Sequence, residues 1–244
     1  LSQLALGVAA DVSQRHISFI ETGRSTPSRE LVGHLGRVLD VPLRDQNVML
    51  MAAGHAPTHP ETDPLELARL LPALQFVVDA HTPYMAVVVD RAWNVIASNS
   101  SAQVFASLVL DPAEVIDGGT LNLMRATFHP RGLRRHITNW PAVWPMLLAG
   151  LERDSARAHG DVELASLVDE VRGHLSGETP GGRGAQSLLV PLRYDIDGVM
   201  FDLFTTIATI DAALDVTVSE LRIETFWPAD EASDAAWRRL VEVT

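Results

Sequence analysis

Apolar positions near the start of the chain keep the spacing of a helix face. Leu6, Val12, Ile17 and Ile20 can meet inside a crossing of two short helices. Ser13 stands where an N-cap belongs, directly before the run Gln14 to Glu21, and Gly23 suits a left-handed stop after it. This leaves Gln14, Arg15 and Ser18 on one outer face of the second helix. Thr26-Pro27 opens a further helix with proline at its first position. Leu31, Val32, Leu35, Val38 and Leu39 carry that helix to Val41-Pro42. Leu43 to Ala53 predicts another, with Val48, Leu50 and Met51 inward and Gly54 as its stop. From Pro64 to Ala80 the period continues through Leu67, Leu70, Leu71, Leu74 and Val78. Pro72 interrupts it, so a short helix pair is expected.

The pattern then changes to strands. Tyr84 to Asp90 and Trp93 to Ser98 flank a turn at Asp90-Arg91, and Asn99 or Ser100 caps a helix carrying Ala102, Phe105 and Leu108. The middle is helical again. Trp140, Val143, Trp144, Leu147, Leu148 and Leu151 form a stripe that Pro141 and Pro145 confine or bend. Asp161 caps a helix with Leu164, Leu167, Val168, Val171 and Leu175. Gly177 to Gly184 reads as a flexible loop that lacks the Gly-Lys-Ser/Thr ending of a phosphate loop. Ser187 to Tyr194 and Val199 to Thr209 make a hairpin around Asp195 to Gly198. Ser219 to Trp227 is a last strand, with Leu221, Ile223 and Phe226 inward and Arg222 and Glu224 outward, before a terminal helix from Ala232 to Val241. The fold class expected is an all-α domain followed by an α+β domain with a five-stranded antiparallel sheet and flanking helices. The boundaries expected are 1–57, a linker with connecting helices at 58–80, and 81–244.

Composition narrows the classes. The chain is 47% apolar, ample for a packed core, yet no apolar run reaches the roughly 18–20 residues that span a bilayer. It has no cysteine, which excludes disulfides, thiolate metal sites and cysteine nucleophiles. No basic-then-apolar signal segment opens the chain, and a cytoplasmic location is expected. The net charge of −12 argues against nucleic acid until its distribution is read. Residues 1–57 hold five Arg (15, 24, 29, 37, 44) against five acids (Asp11, Glu21, Glu30, Asp40, Asp45), so the acidity lies entirely in the rest. Non-specific binding to DNA should therefore be weak.

The residues Ser2-Gln3, Leu6, Ala10, Val12-Ser13-Gln14, Ile17-Ser18, Ile20-Glu21, Gly23-Arg24 and Pro27-Ser28 resemble the helix-turn-helix of the XRE family, the Cro and lambda-repressor type. Asp11 stands where that family usually has Gly, and Asp tolerates left-handed geometry. The chain opens inside what the resemblance makes the second helix, so the first helix of the family is expected to be missing. VPLRDQNVMLMAAGHAP, VVVDRAWNVIASN, NLMRATFHPRGLRRHITNW and FTTIATIDAALDVTVSELRIETFWPAD are similar to the MmyB-like branch, whose sensor domain is PAS-like. The resemblance thus covers essentially the whole chain.

It implies a transcriptional regulator that binds double-stranded DNA as a homodimer on a near-palindromic operator. Gln14 and Arg15 would read bases beside Ser18, while Gln3, Ser13 and Arg24 hold phosphates. It also implies a small, largely apolar, fatty-acid-like ligand. Candidate lining residues are Met85, Val87, Trp93, Ile96, Phe105, Met124, Phe128, Trp140, Trp144, Leu147, Leu189, Phe201 and Phe204, with Asn99, Asn122, Arg125 and Asn139 as polar anchors. Two alternatives stay open: a ligand-free module for dimerisation or partner binding, and a fused small-molecule enzyme. No Gly-x-Ser-x-Gly elbow or His-Glu-x-x-His motif supports an enzyme, and no cofactor or membrane partner is expected. His55 and His59 lack a third metal ligand at usual spacing. Asp195 and Asp197 are turn carboxylates, and His129, Arg131, Arg134, Arg135 and His136 read as a solvated face that could also meet an anion.

Overall fold

The computed structural model describes residues 1–117, 119–158, 160–181, 190–210 and 214–242. The chain divides into two compact units, Leu1–Thr62 with Ala212–Ser219, and Asp63–Asp211 with Glu220–Thr244.

The first unit begins with α1 (Gln3–Ala9), α2 (Gln14–Glu21), α3 (Arg29–Val38) and α4 (Leu43–Ala52). Serine hydroxyls cap the first three: Ser2 accepts from Ala5 N, Ser13 from His16 N and Ser28 from Leu31 N. Because Ser28 is the cap, Pro27 lies before α3 and not at its first position, a correction to the sequence reading. Asp11 (φ 52°) and Gly23 (φ 69°) take the left-handed turns at the ends of α1 and α2. Gly7 lets the two helices approach, since a Cβ there would sit 2.6 Å from the Val12 carbonyl oxygen. Ala10, Ile17 and Leu35 form the core, with Leu6, Val12, Leu31 and Val38 packed around them. On α4 the inward residues are Gln46, Asn47 and Leu50, whereas Val48 and Met51 are exposed. The reason is that α4 packs against backbone. Asn47 accepts from Thr58 N and His59 N and donates to the His59 carbonyl, tying down the segment that follows the helix.

The second unit opens with α5 (Pro64–Asp79), a single helix capped by Asp63. The expected break at Pro72 is absent. Pro72 and Ala68, whose carbonyl it leaves without a helical donor, are both exposed, on a side of the helix open to solvent. Next come β1 (Ala86–Val89), β2 (Val95–Ser98), α6 (Ser100–Val109), α7 (Pro112–Val115), β3 (Ile116–Asp117), β4 (Thr120–Leu121) and α8 (Leu123–Phe128). A 3-10 turn (Leu133–His136) leads to α9 (Trp140–Arg157) and α10 (Val162–His174). The chain closes with β5 (Leu192–Ile196), β6 (Val199–Thr209), α11 (Val216–Ser219), β7 (Arg222–Pro228) and α12 (Glu231–Glu242).

The main sheet is antiparallel with strand order β2-β1-β7-β6-β5. Its β5–β6 hairpin turns on Asp197 (φ 50°) and Gly198 (φ 85°), the two positive φ values that a tight two-residue turn requires. The expected strand start at 187–189 and loop end at 182–184 lie outside the described residues. α9 continues through Pro145 because the Pro141 carbonyl, which has lost its helical donor there, accepts from Gly181 N at 2.8 Å.

Both faces of the sheet are covered. On one, Leu74 and Val78 of α5 pack with Ala86, Val88 and Leu221. On the other lies the larger core of Val87, Phe105, Phe128, Val143, Leu164, Phe201, Trp237 and their neighbours. Glu224 was expected outward on β7, but it is buried on this second face, with 7% of its surface exposed. Alternation on a strand covered on both sides sorts residues between two interiors, not between core and water. Among the described residues no helix is long and apolar enough to cross a membrane.

Candidate functional site

The first candidate surface is the outward face of α2, where Gln14 and Arg15 are exposed while Ile17 is buried beneath them. The Arg15 guanidinium lies 5.1 Å from the centre of the Phe19 ring, and that of Arg24 lies 6.0 Å from the same ring. Phe19, not singled out in the sequence, thus gathers two cations around one aromatic ring. The Ser13 oxygen accepts from His16 N, which leaves its hydroxyl proton free to donate to a phosphate. Ser18 is half-buried at the margin of the face. Gln3 is already engaged, donating to the Glu21 carboxylate at 2.6 Å.

The second candidate is a cavity of about 160 Å³ inside the second unit. Its wall is formed by Met85, Val87 of β1, Val95 and Ser98 of β2, Ala102, Gln103, Phe105 and Ala106 of α6, Leu110 just after that helix, Leu121 of β4, Leu123 and Ala126 of α8, Leu133 of the 3-10 turn, Tyr194 of β5 and Phe226 of β7. An apolar cavity of about 150 Å³ holds benzene in a protein interior, so this one is large enough for a small hydrocarbon body.

Of the lining residues expected from sequence, Met85, Val87 and Phe105 form the wall. Trp93, Met124, Phe128, Trp140 and Phe201 are buried in the same core without lining the cavity, and Trp144 and Leu147 pack at its edge. Ile96 sits on the opposite face of the sheet, against the α5 side. Phe204 has the other strand parity from Phe201 and lies across from Trp227, half-buried. Leu189 lies outside the described residues.

The four expected polar anchors serve the backbone or an ion pair. Asn99 is fully buried; it accepts from Ala86 N and Ala102 N and donates to the Val78 and Tyr84 carbonyls. Asn122 caps α8 and donates to the Ala92 carbonyl. Arg125 makes a two-pronged pair with Glu170 at 2.7 and 3.0 Å. Asn139 donates to the Pro191 carbonyl and accepts from Arg193 N, holding residues 137–139 along the free edge of β5. The arginine cluster is likewise tied internally, Arg131 to Glu114, Arg134 to Glu178 and Arg135 to the Val109 carbonyl. His55 and His59 bond to the Pro27 carbonyl and the Gln46 side chain.

Several buried polar groups have no such duty. The indole N–H groups of Trp93, Trp140 and Trp144 and one carboxylate oxygen of Glu224 are buried without partners. Trp93 also holds a left-handed backbone (φ 68°), rare for so bulky a residue, and Arg222 lies 5.0 Å from its ring. Burial pushes the Glu224 carboxyl up to about 7, although the Thr205 hydroxyl and the Arg222 charge act in the other direction. Burial, with the Glu224 charge as a second cause, raises the Tyr194 phenol and keeps it protonated.

Residues 70–240 match the family described as MmyB-like transcription regulator ligand binding domain, and residues 1–46 match the family described as Helix-turn-helix. No curated protein matches the chain.

Proposed function

The chain belongs to the MmyB-like transcription regulators, with a helix-turn-helix DNA-binding region and a ligand-binding domain. From that premise we propose that the second unit takes up a small, largely apolar, fatty-acid-like molecule and thereby alters the affinity of the first unit for DNA. The observation that carries this reading is the path of the chain. After β6 it leaves the sheet, contributes α11 to the first unit, and returns as β7. Within the first unit, Val216 N donates to the Pro60 carbonyl at 2.9 Å, Thr217 donates to the Thr62 carbonyl, and α11 packs on α4. β7 carries Phe226, part of the cavity wall, so a change there is covalently continuous with the reader.

Gln14 and Arg15 read base edges, Ser13 and Arg24 hold phosphates, Gln3 joins them when its bond to Glu21 opens, and Ser18 stands at the margin. Two copies place their α2 helices one helical turn of DNA apart, about 34 Å, on a near-palindromic operator. The apolar pair Phe76 and Val77, exposed on α5 (76% for Phe76), supports pairing of two copies. Two early strands, intervening helices and three late strands support a PAS-like description. A regulator of this kind acts in the cytoplasm, where the chromosome lies.

Selection from a random duplex pool should return a near-palindrome, and solvent extraction of the purified chain should release a stoichiometric apolar molecule seen by mass spectrometry. A pool that shows no enrichment would sink the reader assignment. An extract without such a molecule would favour a ligand-free dimerisation module.

A further inference from the structure

The sensor cavity has two unlike ends. Val87, Phe105, Ala126, Tyr194 and Phe226 are buried, whereas Ser98, Ala106, Leu110 and Leu121 are half-buried and Gln103 is exposed. The second set comes from the edge strand β2, from α6 and the residue after it, and from β4, and it marks where the cavity meets solvent. Polar side chains collect at that rim. The Gln103 amide donates to the Ser98 carbonyl at 3.3 Å and to the Ser98 hydroxyl at 3.4 Å, long bonds at an exposed position. The Ser98 carbonyl also accepts from Gln75 at 3.0 Å, so it keeps a donor when Gln103 turns away. The Gln103 amide and the Ser98 hydroxyl then offer two donors at the mouth.

The buried end suits a hydrocarbon and not a charge. No Arg or His is among the described lining residues, and Glu224 stands on the same face of the sheet, across from Val87. A carboxylate pushed to that end would lose its water and gain no counter-charge. At the rim it stays hydrated and accepts charge-assisted hydrogen bonds from neutral donors. The two ends therefore fix the direction in which a fatty-acid-like molecule lies.

Resting on the reading of the second unit as a domain for a fatty-acid-like ligand, we propose that the cavity takes a medium-chain carboxylic acid tail first, with about six to eight carbons inside and the carboxylate at the rim, held by Gln103 and Ser98. The buried end measures the chain: carbons beyond that number stay in water and add no affinity. Gln103 is the group that receives the head.

The test is calorimetry at pH 8 on the full chain, delipidated on a hydrophobic resin, with hexanoate, octanoate, dodecanoate and octan-1-ol. Each methylene that enters the cavity is worth about a fourfold gain, so octanoate should bind about fifteenfold more tightly than hexanoate. Dodecanoate should stay within about threefold of octanoate, where continued burial would give more than a hundredfold. Gln103→Glu sets a negative charge beside the head and should weaken octanoate about fivefold while leaving octan-1-ol unchanged, and Gln103→Lys should tighten octanoate. The position is exposed, and melting curves check that both variants fold. An octanoate affinity untouched by Gln103→Glu, or a gain of fourfold per methylene sustained to dodecanoate, would overturn the proposal while the ligand-binding reading stands. If neither the acids nor octan-1-ol bind, the ligand-cavity reading falls with it.

Discussion

Gln14 and Arg15 stand exposed on the first turn of α2, while Asn99 and Asn122, no less polar, are buried and hold backbone in the second unit. On α2, the Gln14 amide and the Arg15 guanidinium make no hydrogen bond among the described residues and remain available to a groove. In the sensor, the polar groups that look most like ligand anchors close helix ends and strand edges. Among the described residues, the buried groups without a hydrogen-bond partner there include one oxygen of Glu224, which reads as outward in the sequence, and three tryptophan indoles, which read as apolar lining. An available polar group is therefore recognised by its lack of a structural duty, and residue type alone is a poor guide to it.

The contrast predicts a ranking of mutational effects. The largest belongs to Asn99→Ala, which strands two buried N–H groups and two carbonyls. It should cost about 3–5 kcal/mol in urea unfolding, whereas Gln14→Ala should change stability by less than about 0.5 kcal/mol. Equal effects would erase the distinction between the two regions.

Glu224→Gln comes next. The folded carboxyl titrates near 7 against an ordinary 4.5, so between those values the folded chain holds more proton than the unfolded one. Stability should therefore be greatest below about pH 4.5 as far as this group is concerned, and fall as pH rises through 7. Glu224→Gln should be more stable than the parent at pH 8 by up to about 3 kcal/mol and should flatten that slope. A variant less stable than the parent at pH 8 would show that the charge is satisfied where it lies.

Arg15→Ala should leave folding unchanged and cost about 1–3 kcal/mol of discrimination at one base position, read by competition binding with single-substitution duplexes. The smallest effect is expected for Arg24→Ala: binding weakens alike on all duplexes, and the slope of log affinity against log salt falls by about 0.9. Loss of preference at one base pair in Arg24→Ala would exchange the two roles.

The local parts of this arrangement were legible in the sequence. Caps at Ser13, Asn99 and Asp161, the Asp197-Gly198 turn and the order of helices and strands follow from short-range spacing, and the structure has them. What stayed hidden depends on distant partners. Val48 and Met51 yield the interior to Gln46 and Asn47 because residues 58–59 return across α4, and Pro145 is tolerated because Gly181 takes the freed carbonyl. Glu224 is inward because a helix covers the other face of its strand. The cavity was sought through bulky apolar residues, but space is left by small ones, and Ala102, Ala106 and Ala126 line it. No spacing rule announces that α11, between two sensor strands, packs with the reader.

The central claim is that occupancy of the sensor cavity reaches the DNA-reading unit. The most direct test is the dissociation constant of the full chain for its selected duplex, by fluorescence anisotropy, with and without saturating octanoate. A coupling of about 1–3 kcal/mol, a shift of roughly 5–150-fold, is predicted, and Val216→Asp in α11 should abolish it. The same dissociation constant in both conditions, with the octanoate shown to be bound, would contradict the account.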